Sequence, residues 1–208
     1  MWNNTQQIAL AVLPKFSSIF SLLGSTWIAI EVAYSKSKRS HPYHRMLLAM
    51  SLYDIAESIG NFMSTWPIPE DGNGDDQKWA IGNTATCSAQ GFVLTTAVAV
   101  PIYNAFLALY YLLVVNYNVS DRSLRTIVEP TMHGIAFVWG FGTAITSASL
   151  RLFNDANLWC WIAPFPAGCL DNDAVECERG GNAWIYRWVF YFAPLWFCIF
   201  SASKLGMS

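Results

Sequence analysis

Long apolar stretches separated by short polar segments dominate this chain. A helix needs about 20 apolar residues to cross the hydrocarbon core of a bilayer. Five stretches reach this length, over approximately residues 8–34, 46–66, 87–116, 132–150 and 184–203. Strands of a membrane β-barrel would be about ten residues long and alternate in polarity, which these stretches do not. The pattern predicts an all-α, polytopic transmembrane helix bundle that forms a single domain over residues 1–208.

Composition supports a membrane environment. Hydrophobic residues make up 54% of the 208 residues and charged residues only 12%, whereas soluble domains carry about 25% charged residues. The ten Trp and nine Tyr suit the interface between lipid and water. The chain shows no basic stripe of the kind that binds nucleic acid, so no nucleic-acid partner is predicted.

The four connecting loops differ in charge, which predicts an orientation. Loop 1 (35–45) has four basic residues and no acid, and loop 3 (117–131) contains Arg122 and Arg125. Loop 2 (67–86) and loop 4 (151–183) are acidic overall. Because Lys and Arg concentrate in cytoplasmic loops, loops 1 and 3 are predicted inside and loops 2 and 4 outside. The N-terminus is then outside and Lys204 inside.

The cysteines agree with this orientation, because four of the five fall on the predicted outer side, where disulfides persist. These four are Cys87, Cys160, Cys169 and Cys177. Four cysteines allow three pairings, and we expect Cys87–Cys160 and Cys169–Cys177. The alternative is that one or more stays reduced. Cys198, within the fifth stretch, is expected to be a free, buried thiol.

Two sequences match the acceptor for N-glycosylation. Asn3-Asn4-Thr5 lies on the predicted outer side, so the chain is expected to be a glycoprotein. Asn118-Val119-Ser120 would face the cytoplasm and stay unmodified.

Several of these features together resemble seven-helix G-protein-coupled receptors. They are the outer N-terminus, the Cys at the start of the third stretch, and Cys160-Trp161-Ile162 in a long loop 4. The Cys-Trp pair is similar to that of the cyclic-AMP-receptor-like and secretin-like groups. Residues 48–54, Leu-Ala-Met-Ser-Leu-Tyr-Asp, resemble the second helix of many receptors. Trp139 and Pro194 also fall where receptors often carry Trp and Pro.

The resemblance implies a signalling protein in the plasma membrane, surrounded by membrane lipid. It would sense an extracellular small-molecule or peptide ligand, and transmit a helix rearrangement to the cytoplasmic loops and a heterotrimeric G protein. The third stretch ends in Val115-Asn116-Tyr117-Asn118, without the Asp/Glu-Arg-Tyr triplet of rhodopsin-type receptors. The sixth and seventh helices are also lacking. The sequence is therefore either the front of a longer receptor or a five-span protein derived from one.

Polar residues interrupt two of the apolar stretches. Asp54 and Glu57 stand at i and i+3, so they share one helical face, and Asn61 extends that stripe. Ionisable groups at membrane depth are usually functional or paired inside the bundle. The stripe is either an ion or proton site, or a structural set hydrogen-bonded to neighbouring helices. Pro101 and Asn104 interrupt the third stretch, and the proline should kink it.

A ligand pocket is predicted between the outer halves of the third and fifth stretches. Its candidate residues are Gln90, Thr95, Thr96, Tyr103, Trp184, Tyr186, Arg187 and Tyr191. Arg187 is placed to hold an anionic ligand group, or alternatively extends to the membrane interface. Loop 4 contributes Trp159, Trp161 and Phe165, either as a lid or as residues resting on the bilayer.

Charged residues near the predicted cytoplasmic face have simple structural interpretations. Glu31 is expected to pair with a basic residue of loop 1 or to extend to the interface. Glu129 and Pro130 suit the first turn of a helix. A contact of Glu129 and His133 with a partner is the alternative.

No catalytic motif is present, so no enzymatic activity, cofactor or metal is predicted. The nucleophile-elbow, zinc-protease and phosphate-loop patterns are all missing. Lys15, the one intramembrane lysine, lies near the end of its stretch, which disfavours a Schiff base. Two alternatives to a receptor remain: a non-signalling structural subunit of a membrane complex, and a small transporter. The lack of an internal repeat disfavours the transporter.

Overall fold

A computed structural model describes residues 4–70, 79–166, 169–170 and 175–205, and this part of the chain is mostly helical. Its α-helices are α1 (Asn4–Tyr34), α2 (Lys36–Arg39), α3 (Pro42–Met63), α4 (Thr84–Thr96), α5 (Ala99–Val115), α6 (Asp121–Ser123), α7 (Glu129–Ser149), α8 (Ala183–Arg187) and α9 (Ala193–Leu205). Two π-helical segments, Leu124–Val128 and Trp188–Phe192, join α6 to α7 and α8 to α9.

Three described helical stretches are long and apolar enough to cross a membrane. They are Thr5–Tyr34, Thr84–Val115 and Ala183–Ser201, with 30, 32 and 19 residues. Large apolar side chains project from them, and Phe20 and Phe197 are each 73% exposed. Such extended apolar surface is costly in water and normal against lipid. The chain is therefore membrane-embedded. Helices α3 and α7, of 22 and 21 residues, are long enough but less apolar.

Helices lie over all five predicted stretches, but several boundaries differ from the prediction. Helix α3 ends at Met63 rather than near residue 66, because Ser64 has a φ of 49° that an α-helix does not accommodate. The helical backbone around the fourth stretch begins at Asp121, within predicted loop 3. Ser120 caps it by accepting from the Ser123 amide at 3.3 Å. Pro130 lies in the first turn of α7, as predicted, and a π-helical segment precedes that turn.

The predicted interruption of the third stretch is a short turn between α4 and α5. Proline at position i lacks the amide proton and its ring collides with the carbonyl of residue i−4. For Pro101 that carbonyl belongs to Ala97. The Ala97 carbonyl instead accepts from the Val100 amide at 2.9 Å. The turn thus follows from the position of the proline.

Loop 4 contains a β-hairpin that the all-α prediction missed. Strand β1 (Phe153–Asp155) pairs antiparallel with β2 (Cys160–Ile162). Both predicted disulfides are present: Cys87–Cys160 joins the hairpin to α4, and Cys169–Cys177 closes a short loop. Cys198 is free and buried, as predicted.

Four of the helices pack around an apolar core, and α1 lies along α3. Buried side chains of α3, α5, α7 and α9 form that core: Met46, Ala99, Ile102, Tyr103, Met132, Ala136 and Cys198. Lys15 of α1 closes the end of α3, since its Nζ donates to the carbonyls of Phe62 and Met63 at 3.0 and 3.1 Å. A cation suits this position because carbonyls at a helix C-terminus carry partial negative charge.

Candidate functional site

The hairpin is fixed to the bundle by Gln90 as well as by the disulfide. The buried Gln90 side chain donates from Nε2 to the carbonyls of Gly60 and Ser64, at 2.9 and 2.8 Å. Its Oε1 accepts from the Cys160 amide at 2.8 Å. One amide therefore joins α3, α4 and β2. Gly91 allows the hairpin to approach α4, because a Cβ there would lie 2.6 Å from the Phe153 ring.

Between the hairpin and the helices lies a cavity of about 270 Å³, here called the hairpin cavity. Its walls come from α3, α4, the hairpin and the last helical stretch. They are formed by Glu57, Asn61, Leu94, Trp159, Trp161, Tyr191 and Phe192. The rings of Trp161 and Tyr191 meet edge to face, with centroids 5.2 Å apart. The cavity has the concave, mainly apolar character of small-molecule sites.

Of the residues predicted to bind a ligand, Tyr191 lines this cavity. Gln90 is engaged by backbone groups, and Tyr103 lies in the core with its hydroxyl 2.7 Å from His133 Nδ1. Thr95 is buried, and its hydroxyl has no hydrogen-bond partner among the described residues. Tyr186 packs against the cluster formed by Leu152, Phe153, Ile162 and Ala183. Trp159 and Trp161, predicted either as a lid or as residues resting on the bilayer, form a wall of this cavity.

Arg187 supports the hairpin from the last helical stretch. Its Nε donates to the Ile162 carbonyl, and its guanidinium lies 5.6 Å from the centre of the Trp161 ring. Arg187 therefore holds the backbone of β2 and lies against the ring that forms the cavity wall.

The two intramembrane carboxylates of α3 have different surroundings. Asp54 accepts from the Ser21 hydroxyl at 3.0 Å and also from Ser25, both on α1. Glu57 faces the hairpin cavity together with Asn61. No ion pair joins Asp54 or Glu57 to a cation within the described ranges. The exposed Asn104 lies on another helix, outside this group.

At the other end of the bundle, α3 and α7 are joined by an ion pair that the sequence analysis missed. Arg45 donates from Nε and Nη2 to the two carboxylate oxygens of the buried Glu129, each at 2.5 Å. His133 Nε2 lies 3.7 Å from the same carboxylate, and Tyr103 extends the group to α5. The hydrogen bonds with Glu129 raise the pKa of Arg45. Glu129 lies in the first turn of α7, as predicted, and also joins that helix to α3.

Other predicted residues have ordinary roles or lie outside the description. Glu31 pairs with Lys38, one of the two arrangements expected. Within the described ranges, no three His, Cys, Asp or Glu side chains are grouped so as to hold a metal ion. The glycosylation acceptor Asn3 lies outside the described residues.

No protein-family model, curated protein or solved structure matches this chain.

Proposed function

We propose that this chain is a receptor-like signalling protein of the plasma membrane. It spans the bilayer five times with its N-terminus outside, binds an extracellular ligand in the hairpin cavity, and transmits a helix rearrangement to loops 1 and 3. The observation that carries the proposal is the hairpin cavity itself, whose walls belong to three helical stretches and a disulfide-linked hairpin. A ligand there would contact several elements that pack against one another.

Helix α3 supplies a route from the cavity to the other end of the bundle. Glu57 lines the cavity, and Arg45, about 18 Å away along the helix, forms the ion pair with Glu129. A displacement of α3 at the cavity therefore acts on a contact between α3 and α7. Loops 1 and 3 adjoin this contact, and a heterotrimeric G protein is the proposed partner there.

The last helical stretch supplies a second responsive element. Its π-helical segment Trp188–Phe192 contributes Tyr191 and Phe192 to the cavity wall. π-Helical turns are rare and occur frequently at functional sites. A ligand that fits the π-helical arrangement better than a regular helix would shift the population between two bundle packings.

A covalent probe tests the coupling without knowledge of the ligand. The Asn61→Cys variant is prepared in a Cys198→Ala background, placed in lipid nanodiscs and labelled with benzyl methanethiosulfonate. The attached benzyl group then fills the cavity. Hydrogen–deuterium exchange is then measured over residues 36–45 and 121–130. We expect the exchange rate there to change by at least about threefold, which corresponds to a free-energy shift of at least about 0.65 kcal/mol.

The control places the same label at Trp184→Cys, an exposed site on the last stretch that does not line the cavity. That label should leave both segments unchanged. If the cavity label alters exchange only in the hairpin and the cavity walls, the signalling proposal fails.

One observation favours the alternative of a structural subunit. An apolar groove of about 440 Å³ lies between α5, α7 and the last stretch, with Phe106, Trp139 and Pro194 among its lining residues. A helix of a partner could occupy it, although lipid chains suit the same surface. If the label in the cavity leaves exchange over residues 36–45 and 121–130 unchanged, a structural subunit is the better explanation of this chain.

A further inference from the structure

Among the described residues, the lining of the hairpin cavity combines aromatic walls with one acidic side chain. Four of its seven lining residues are aromatic, namely Trp159, Trp161, Tyr191 and Phe192. The acidic residue is Glu57, with the amide of Asn61 one turn away on α3. No lysine, arginine or histidine is among the lining residues in the described part of the chain.

Glu57 lacks an ionic partner among the described residues. Asp54 lies one turn along the same helix and accepts from the hydroxyls of Ser21 and Ser25, which are neutral donors. The nearby Arg187 is held by the Ile162 carbonyl on the hairpin and does not line the cavity. The carboxylate of Glu57 therefore favours a positive charge within the lining, because low-dielectric walls focus the field of the charges among them.

The aromatic rings favour the same charge. The face of a Trp or Tyr ring is negative, so it attracts a cation that lies within about 6 Å of its centre. The ring edges and Leu94 offer apolar contact to the rest of a ligand. The volume of about 270 Å³ is below the usual range of about 300–1,000 Å³ for drug-sized sites. A small ligand fits best.

We propose that the hairpin cavity binds a small organic cation, a protonated amine or quaternary ammonium with an apolar body. Its charge lies against Glu57 and its body against the rings of Trp159, Trp161 and Tyr191. This inference rests on the proposed role of the cavity as a ligand site. The sequence analysis placed Arg187 to hold an anionic ligand, whereas the inferred ligand is a cation. Arg187 instead donates to the backbone of β2 and does not line the cavity.

The test compares two compounds that differ in charge. The full chain in nanodiscs is titrated with 2-phenylethylammonium and with 2-phenylethanol at neutral pH, and Kd is obtained from saturation-transfer NMR. Empty nanodiscs correct for partition into lipid. We expect the ammonium to bind about tenfold more tightly than the alcohol, as a charge-assisted contact requires.

Variants assign the effect to the cavity. Glu57→Gln removes the charge and should weaken ammonium binding about tenfold, whereas Glu57→Asp, which keeps the charge, should retain most of the affinity. Trp161→Leu should weaken it through the loss of a ring face. The matched control is Glu70→Gln, which removes an exposed acid outside the cavity and should have no effect.

Two results would overturn the inference. One is equal affinity for the ammonium and the alcohol, which leaves a ligand cavity but excludes the cation class. The other is an ammonium Kd that is unchanged in Glu57→Gln. The covalent label of Asn61→Cys needs no cation, so its outcome judges the signalling proposal separately.

Discussion

Glu129 shows how one buried side chain can join two helices. Its carboxylate is buried, and both of its oxygens accept from Arg45. The bidentate geometry is the strong form of a carboxylate–guanidinium contact. Arg45 is partly exposed, with 32% of its side-chain surface accessible. The ion pair therefore lies near the edge of the bundle. The loss of one partner would leave the other charge uncompensated.

Arg45→Gln is expected to destabilise the folded bundle by about 2–3 kcal/mol, somewhat less than a fully buried pair would. The measurement is thermal unfolding in detergent. Unfolding is monitored through the reaction of Cys198, which is buried in the folded state, with a thiol-specific fluorophore. The stability of Arg45→Lys should fall between that of the unmodified chain and that of Arg45→Gln, because an ammonium keeps the charge but cannot reproduce the bidentate contact.

The matched control is Arg125→Gln. Arg125 lies 3.5 Å from Asp121 in an exposed pair, and such pairs contribute about 0–1 kcal/mol. A loss of stability in Arg45→Gln no greater than in Arg125→Gln would show that the α3–α7 ion pair contributes little.

At this scale the sequence predicts which residues are polar within the bundle, but not what they contact. The spacing of Asp54 and Glu57 predicts one shared face. Their separate roles depend on Ser21 and Ser25, which are distant in sequence and reach Asp54 only because α1 packs along α3. Gln90 was expected to contact a ligand, yet it is engaged by three backbone groups that the sequence does not place near it.

Prolines shape the helices in a regular way. Each π-helical segment ends two residues before a proline, Pro130 or Pro194. In each case the residue before the proline donates to the carbonyl five positions back: Glu129 to Leu124, and Ala193 to Trp188. A proline ring displaces the carbonyl at i−4, so the wider turn relieves the collision. The sequence identified the prolines, but the choice between a turn, as near Pro101, and a π-helical segment depends on packing.

The helical elements were more predictable than the hairpin. Apolar stretches of membrane length identify helices because every backbone polar group must be satisfied within the segment. The strands β1 and β2 have only three residues each, too few for a period-two pattern to stand out. They depend on the Cys87–Cys160 bond and Gln90, which are contacts between distant segments.

The proposed orientation of the helices leads to a prediction for variants that have one free cysteine. In a Cys198→Ala background, an impermeant maleimide should label Glu70→Cys and Asn157→Cys in intact cells. It should label Ser37→Cys and Arg122→Cys only after permeabilisation, because basic loops stay in the cytoplasm. Non-reducing mass spectrometry confirms that the native disulfides are retained. The reverse labelling pattern would mean an inverted bundle, and mixed labelling would mean a different number of spans.

The whole molecule combines a lipid-facing bundle with a cross-linked end. The Cys87–Cys160 bond spans 73 positions and the Cys169–Cys177 bond spans 8. Cys87 and Cys160 are both buried, beside Ile68, whereas the second bond only closes a loop within loop 4. The first bond therefore fixes the position of Trp159 and Trp161, and so the shape of the hairpin cavity.

Removal of the two bonds should have unequal effects. In the chain-entropy account, a cross-link over 73 positions contributes about 4 kcal/mol and one over 8 positions about 2.5 kcal/mol. The Cys87→Ser/Cys160→Ser variant should thus unfold at a lower temperature than Cys169→Ser/Cys177→Ser, by the same Cys198 assay. It should also lose affinity for 2-phenylethylammonium, because the hairpin wall is released, while the second variant keeps it. If the two variants lose stability and affinity equally, the hairpin is held mainly by Gln90 and Arg187. In that case the disulfide does not determine the shape of the cavity.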